Sequence, residues 1–257
     1  MAQLLQVVKS LWRLLVVFAA CIGVAYVLFQ RLFARRPDLA KSLSWSMKFE
    51  DIRRGDVSAA LRQAMAEDFE LTIACFSCVF FIKQTFAIPG SALLNVIAGL
   101  LLPLHFAFPL VCVLTTFGAS SCFLLSSSLG SHQGLVSLTD YFLPGKLDNL
   151  QTRIDAARQE KRLFFVLLFL RIFPFSPNWL LNMASPYLNI PLGLFAPSVF
   201  FGLMPYNFVT VKAGSMLSTL SSVSDIFDVQ TLLGFLSLAG LILIPAIVKR
   251  RNNQKAL

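Results

Sequence analysis

Between Lys83 and Asp140 the chain runs for 56 residues without a formal charge, and Pro89, Pro103 and Pro109 interrupt the run together with Gly90 and Gly99. A single bilayer crossing needs only about 20 apolar residues, so one helix cannot hold this tract within one crossing. A soluble domain cannot hold it either, because a water-facing shell requires charges and about a quarter of residues in such domains carry one. Across all 257 residues only 14% are charged and 56% are hydrophobic, with a mean hydropathy of +0.72. Backbone groups in hydrocarbon must be paired within the segment, which leaves helices as the spanning element. The expected fold is therefore an all-α polytopic membrane protein in which the chain turns back inside the bilayer at its prolines.

The charges mark where water begins. Leu14 to Gln30 is uncharged, follows Lys9 and Arg13, and reaches about Phe33, so residues 1–34 read as a retained signal-anchor span. Residues 35–70 carry seven bases and seven acids and read as a polar loop with some helix. The turn signals then divide the uncharged tract into a broken segment, Leu71 to Pro103, and an unbroken one, Leu110 to Leu129. Residues 140–162 are polar again, with Leu147, Leu150, Ile154 and Ala157 at helical spacing beside Arg153, Arg158 and Lys161, as in an amphipathic interfacial helix. Residues 163–214 repeat the broken-then-long pattern, 229–248 form a last span, and the basic tail 249–257 is placed in the cytoplasm by the positive-inside rule.

The pattern recurs in register. Lys83 matches Arg171, Pro89 matches Pro177, Pro103 matches Pro191 and Pro109 matches Pro197, every pair 88 residues apart, while Asn95 and Asn182 miss that register by one. A duplication at this period makes 71–129 and 163–214 two copies of one unit within a domain of 71–228. If each copy is a re-entrant hairpin plus a span, the single crossing between the hairpins inverts one relative to the other. The expected count is about four full spans, two inverted-repeat re-entrant hairpins and the interfacial helix.

Three cations lie in or beside apolar sequence: Lys83, Arg171 and Lys212. No acid occurs from Leu71 to Thr139 or from Lys161 to Ser224, so none of those tracts can supply a carboxylate partner. An unpaired charge at a helix centre costs about 2.5–3.5 kcal/mol on insertion scales, so something must compensate it. One reading has Lys83 and Lys212 snorkelling to an interface. The other has the cations, together with helix N-terminal amides at Pro89-Gly90-Ser91 and Pro177-Asn178-Trp179, meeting an anionic phosphate. Asn178, Asn182, Tyr206 and Asn207 add neutral polar groups to the same region.

Other chemistries find little footing. There is no Gly-rich phosphate loop, His105 and His132 lack metal-ligand spacing, and the Cys75-x-x-Cys78 pair has no second pair beside it. The sequence thus offers neither an enzyme's acid pair nor a cofactor site. The net charge of +9 lacks the aromatic interleaving of a nucleic-acid platform, so an anionic membrane surface is the better partner.

The segments FAIPGSALLNVIAG at Phe86 to Gly99, LRIFPFSPNWLLNMASPYLNIPL at Leu170 to Leu192 and GLMPYNFVTVKAG ending at Gly214 resemble the transmembrane protein 41 branch, form A most nearly, of the DedA superfamily, also called the VTT or SNARE-associated Golgi protein family. The resemblance covers about Leu71 to Val248. It implies two opposed re-entrant hairpins, residence in the endoplasmic reticulum, and energy-independent phospholipid scrambling linked to autophagosome and lipoprotein formation. It also implies phospholipids and other membrane proteins of lipid transfer or autophagy as partners. Arg171 matches the family's hairpin arginine. Bacterial members carry an acid after the Pro-Gly where this chain has Ser91, which argues against proton coupling. An ion-coupled transporter of a lipid or small anion and a non-transporting scaffold are the alternatives.

Overall fold

The structure is a computed structural model that describes residues 2–37, 39, 56–129, 147–173 and 176–216. The expected last span 229–248, the tail 249–257 and much of the polar loop lie outside the described residues. Every element among those described is a helix: α1 (Ala2–Arg35), α2 (Asp56–Glu67), α3 (Phe69–Thr85), α4 (Ser91–Leu101), α5 (Leu104–Leu129), α6 (Leu147–Gln159), α7 (Leu163–Ile172), α8 (Asn178–Ala184) and α9 (Leu192–Ser215). Among the described residues three segments are long and apolar enough to cross a membrane, namely Trp12–Arg35, Leu104–Ser128 and Leu192–Ser215. The chain is an integral membrane protein.

The prolines set the helix starts. Pro103 accepts from the amides of Phe106 and Ala107, and Pro191 accepts from those of Leu194 and Phe195, so each proline caps the long helix that follows it. Those helices begin at Leu104 and Leu192, in the 88-residue register. Pro109 does not divide the chain as the sequence suggested. It lies inside α5, as its sixth residue, as Pro197 does in α9. So near the first turn a proline removes one hydrogen bond from a helix that carries on for five more turns.

Three helical segments end in the same reverse turn, each with a non-glycine residue at positive φ: Ala87 (54°), Lys161 (53°) and Asn189 (52°). After α3 the amide of Ile88 reaches back to the Lys83 carbonyl (2.9 Å) and that of Ala87 to Gln84 (3.4 Å), the paired closure of a Schellman motif. Arg162 to Ala157 (2.9 Å) and Ile190 to Ser185 (3.0 Å) repeat it. The carbonyls left over at each helix end are thereby satisfied without water, as an apolar surrounding demands. Gly90, at φ 117°, then starts α4 from a conformation open to glycine alone at little cost.

The chain divides into two compact units. Of the described residues the first holds 15–37, 39, 56–118 and 207–216, and its core joins Phe76, Phe80, Val96, Ala98 and Val111 to Val211 and Ala213. Here α4 and the end of α9 meet backbone to backbone. A Cβ on Gly99 would overlap the Val211 carbonyl, and one on Gly214 would overlap the Val96 carbonyl. Small residues allow this approach where lipid supplies no hydrophobic drive between helices. Of the described residues the second unit holds 2–14, 119–129, 147–173 and 176–206, with a core of Phe123, Leu167, Leu188, Phe195 and Val199. Within it α6 buries Ile154 and Ala157 and exposes Arg153, the amphipathic division its spacing predicts. Arg158 of α6 also donates to the carbonyls of Leu188 (2.8 Å) and Asn189 (2.9 Å), which fixes the turn after α8.

Gly99→Ala and Gly214→Ala are expected to lower stability by about 1–3 kcal/mol each, because the obstructing atoms are backbone. Gly23→Ala, which meets nothing within 4 Å, should not. Thermal unfolding in detergent micelles reads the difference.

Candidate functional site

Arg171 lies in the last turn of α7, and only 3% of its surface is exposed. Its Nη1 donates to Asn182 Oδ1 (2.7 Å) and, more weakly, to the carbonyl and Oδ1 of Asn178 (both 3.3 Å). Asn178 and Asn182 are four residues apart on α8, which puts both amides on one face. The guanidinium carbon lies 4.9 Å from the centroid of Phe195, within cation–π range. Gly202 of α9 lies directly beneath, where a Cβ would overlap that of Arg171. Among the described residues no carboxylate pairs with this cation. Five donors in a fixed fork and neutral acceptors close by are how its position is held.

The first unit holds the matching cation. Lys83 lies in the last turn of α3 and is 8% exposed. Its Nζ donates to Gln84 Oε1 (2.9 Å) and to Ser91 Oγ at the start of α4, with the Phe80 ring centroid at 6.0 Å. In each broken segment, then, a cation closes the first helix of the pair and is met by neutral oxygen from the second. Ser91, which stands where bacterial relatives carry an acid, accepts from Lys83 as a hydroxyl.

A second polar cluster lies between α4 and α9 of that unit. Asn95 is fully buried and its Nδ2 donates to Asn207 Oδ1 (3.1 Å) and Thr210 Oγ1 (2.9 Å). Asn207 Nδ2 in turn lies 3.7 Å from Cys112 Sγ. Among the described residues Asn95 Oδ1 has no hydrogen-bond partner. The repeat register marks Asn95 as the near-counterpart of Asn182, but nothing local to Asn95 reveals partners 112 and 115 residues away. Thr210, Cys112, Phe195 and Gly202 are equally invisible to motif reading.

The remaining candidates are not gathered to these cations. Lys212 is exposed on α9 near its end, as a snorkelling lysine would be. Pro89 and Gly90 form an exposed turn, Pro177 caps α8, and Tyr206 is half-buried. Among the described residues no three His, Cys, Asp or Glu side chains come together as a metal site would require.

Two helix-broken segments, each with a buried cation, beside helices long and apolar enough to cross a membrane, define an integral membrane protein with cations buried in its apolar segments. The profile of the VTT domain matches residues 88–216, which takes in every cluster just described except Phe80, Lys83 and Gln84. The chain belongs to the transmembrane protein 41 family. It is 31% identical over 246 residues to transmembrane protein 41B of Danio rerio, covering 96% of this chain and 84% of that one. It is 32% identical over 247 residues to transmembrane protein 41B of Homo sapiens, covering 94% and 81%. With a transmembrane protein 41 homolog of Dictyostelium discoideum it shares 34% identity over 203 residues, 79% of this chain but 58% of that protein's length. No solved structure matches the chain significantly.

Asn182→Leu removes the shortest acceptor from a buried cation and is expected to cost about 1.5–3 kcal/mol. Asn182→Asp, which supplies a carboxylate at the same place, should hold stability at or above that of the parent chain. The melting temperatures of the two variants in detergent check this.

Proposed function

We propose that this chain is an energy-independent phospholipid scramblase of the endoplasmic reticulum membrane, acting in lipid homeostasis and autophagosome formation, and not an enzyme. The observation that carries the reading is Arg171, a cation 3% exposed in a tract that holds no acid. Moving a bare ion into apolar surroundings costs tens of kcal/mol in the idealised limit. A cation held at that depth by neutral groups lowers this cost for an incoming phosphate, and the bilayer supplies phosphates in abundance. The placement in the endoplasmic reticulum and the link to autophagy rest on the family resemblance.

In this reading α3–α4 and α7–α8 are re-entrant hairpins. At about 1.5 Å per residue the 11 residues of α4 and the 7 of α8 fall far short of a bilayer. With α5 crossing once between them, the hairpins enter from opposite leaflets. Lys83 and Arg171 then ease the phosphate inward from either side while acyl chains stay in lipid. Because the tracts contain no carboxylate, a proton relay of the usual kind would have His105 at most to use.

The test is dithionite quenching of fluorescent phospholipid in vesicles carrying the purified full chain. Quenching should pass beyond the outer-leaflet half and keep the same rate under an imposed pH or sodium gradient. A gradient-dependent rate would establish a coupled transporter instead, and quenching that stops at half would leave the scaffold reading.

A further inference from the structure

A separate cleft of about 430 Å³ opens where α1 ends and α3 begins, lined among others by Arg31, Arg35, Asp68, Phe69, Glu70 and Leu71. It lies outside the matched VTT segment and shares no residue with the Arg171, Lys83 or Asn95 clusters. Its volume falls within the range of ordinary ligand pockets. The charges place it at the edge of the membrane. Arg31 is the first charge after the uncharged stretch of α1, and Glu70 is the last before the apolar run of α3. The Arg35–Asp68 ion pair at 2.9 Å ties those two helix ends together, and Arg36 pairs with Glu67 beside it.

That pairing leaves two opposite charges over. Among the described residues neither Arg31 nor Glu70 has a hydrogen-bond or ion-pair partner. Arg31 and Arg35 are four residues apart on α1, so the guanidinium without a partner shares one helix face with the one that Asp68 holds. Across the cleft, Glu70 stands next to Phe69, whose ring is 44% exposed and held edge-on by Phe106 at 6.0 Å. A carboxylate beside an open aromatic face is the arrangement that receives an ammonium group.

We infer that this cleft binds the zwitterionic head group of a phospholipid, with the phosphate between Arg31 and Arg35 and the ammonium against Glu70 and Phe69. Leu71 in the lining, at the start of the apolar run, sets the glycerol end toward the acyl region. The site rests on the reading of the chain as a lipid-handling protein, yet it is a docking site at the membrane edge and takes no part in the crossing itself.

The full chain, reconstituted in nanodiscs of equimolar phosphatidylcholine and phosphatidylglycerol and released in mild detergent, tests this by native mass spectrometry of the retained lipid. The parent chain should keep phosphatidylcholine in preference to phosphatidylglycerol. Arg31→Gln should lower that retention about tenfold, as expected for one lost charge-assisted hydrogen bond, while Arg31→Lys keeps most of it. Glu70→Gln should turn the preference toward phosphatidylglycerol, because the cations stay and the acid goes. Preference for phosphatidylglycerol in the parent chain, or an unchanged preference in Glu70→Gln, would overturn the proposal. So would binding of glycerophosphocholine as tight as that of a short-chain phosphatidylcholine, since the site would then serve a soluble compound. Retention is read on static protein, so phosphatidylcholine held by a chain that exchanges no lipid would refute the function proposed above and leave this site standing.

Discussion

A guanidinium that is almost wholly buried, in a stretch of sequence without a single acid, has to be held in place by neutral groups. Arg171 achieves this through one short bond to Asn182, two longer ones to Asn178 and the face of Phe195. Each requirement shapes the chain around it. The two asparagines share a face only if α8 is helical, and α8 can start at Asn178 only because Pro177 breaks the chain after α7. The arginine's stem fits against α9 only because residue 202 is glycine. A buried ion pair would have been simpler electrostatically, but it would also have neutralised the cation. Held by amides, it keeps its charge to offer.

The first copy solves the same problem with different residues. Lys83 is a compact charge with three donors, and a glutamine and a serine hydroxyl suffice for it. Both copies place a close glycine contact against the cation-bearing helix: Gly118 approaches the side chain of Gln84 (2.6 Å for an added Cβ), as Gly202 approaches Arg171. The short helix of the first copy is further fixed by Asn95, Asn207 and Thr210. In an apolar setting such a network specifies register, since sliding α4 past α9 would leave buried amides unpaired.

Much of this was legible in the sequence, and the parts that were not share a reason. The uncharged tracts defined the membrane class, and the stretch ending at Pro191 placed the start of α9 at Leu192, because helix starts are set by local chemistry, whereas α5, expected from Leu110, starts at Leu104. Pro109 misled because a proline's effect depends on how far into the helix it falls, and only the observed start at Leu104 fixes that. Arg171 stood out because a lone charge among eight apolar residues is conspicuous in one dimension. The Asn95 network and the Arg31–Glu70 cleft were hidden, since both depend on which distant segments meet. Lys212 shows the converse: conspicuous in sequence, it proves to be exposed near the end of α9.

The central claim is that the buried charge of Arg171 carries the head group across, and leaflet exchange by Arg171→Ala and Arg171→Lys in vesicles, at matched melting temperature, tests it most directly. The account predicts that the alanine variant exchanges lipid no faster than protein-free vesicles, and that lysine, a point charge without the fork, restores part of the rate. An alanine variant that folds normally and exchanges lipid at the parental rate would contradict it.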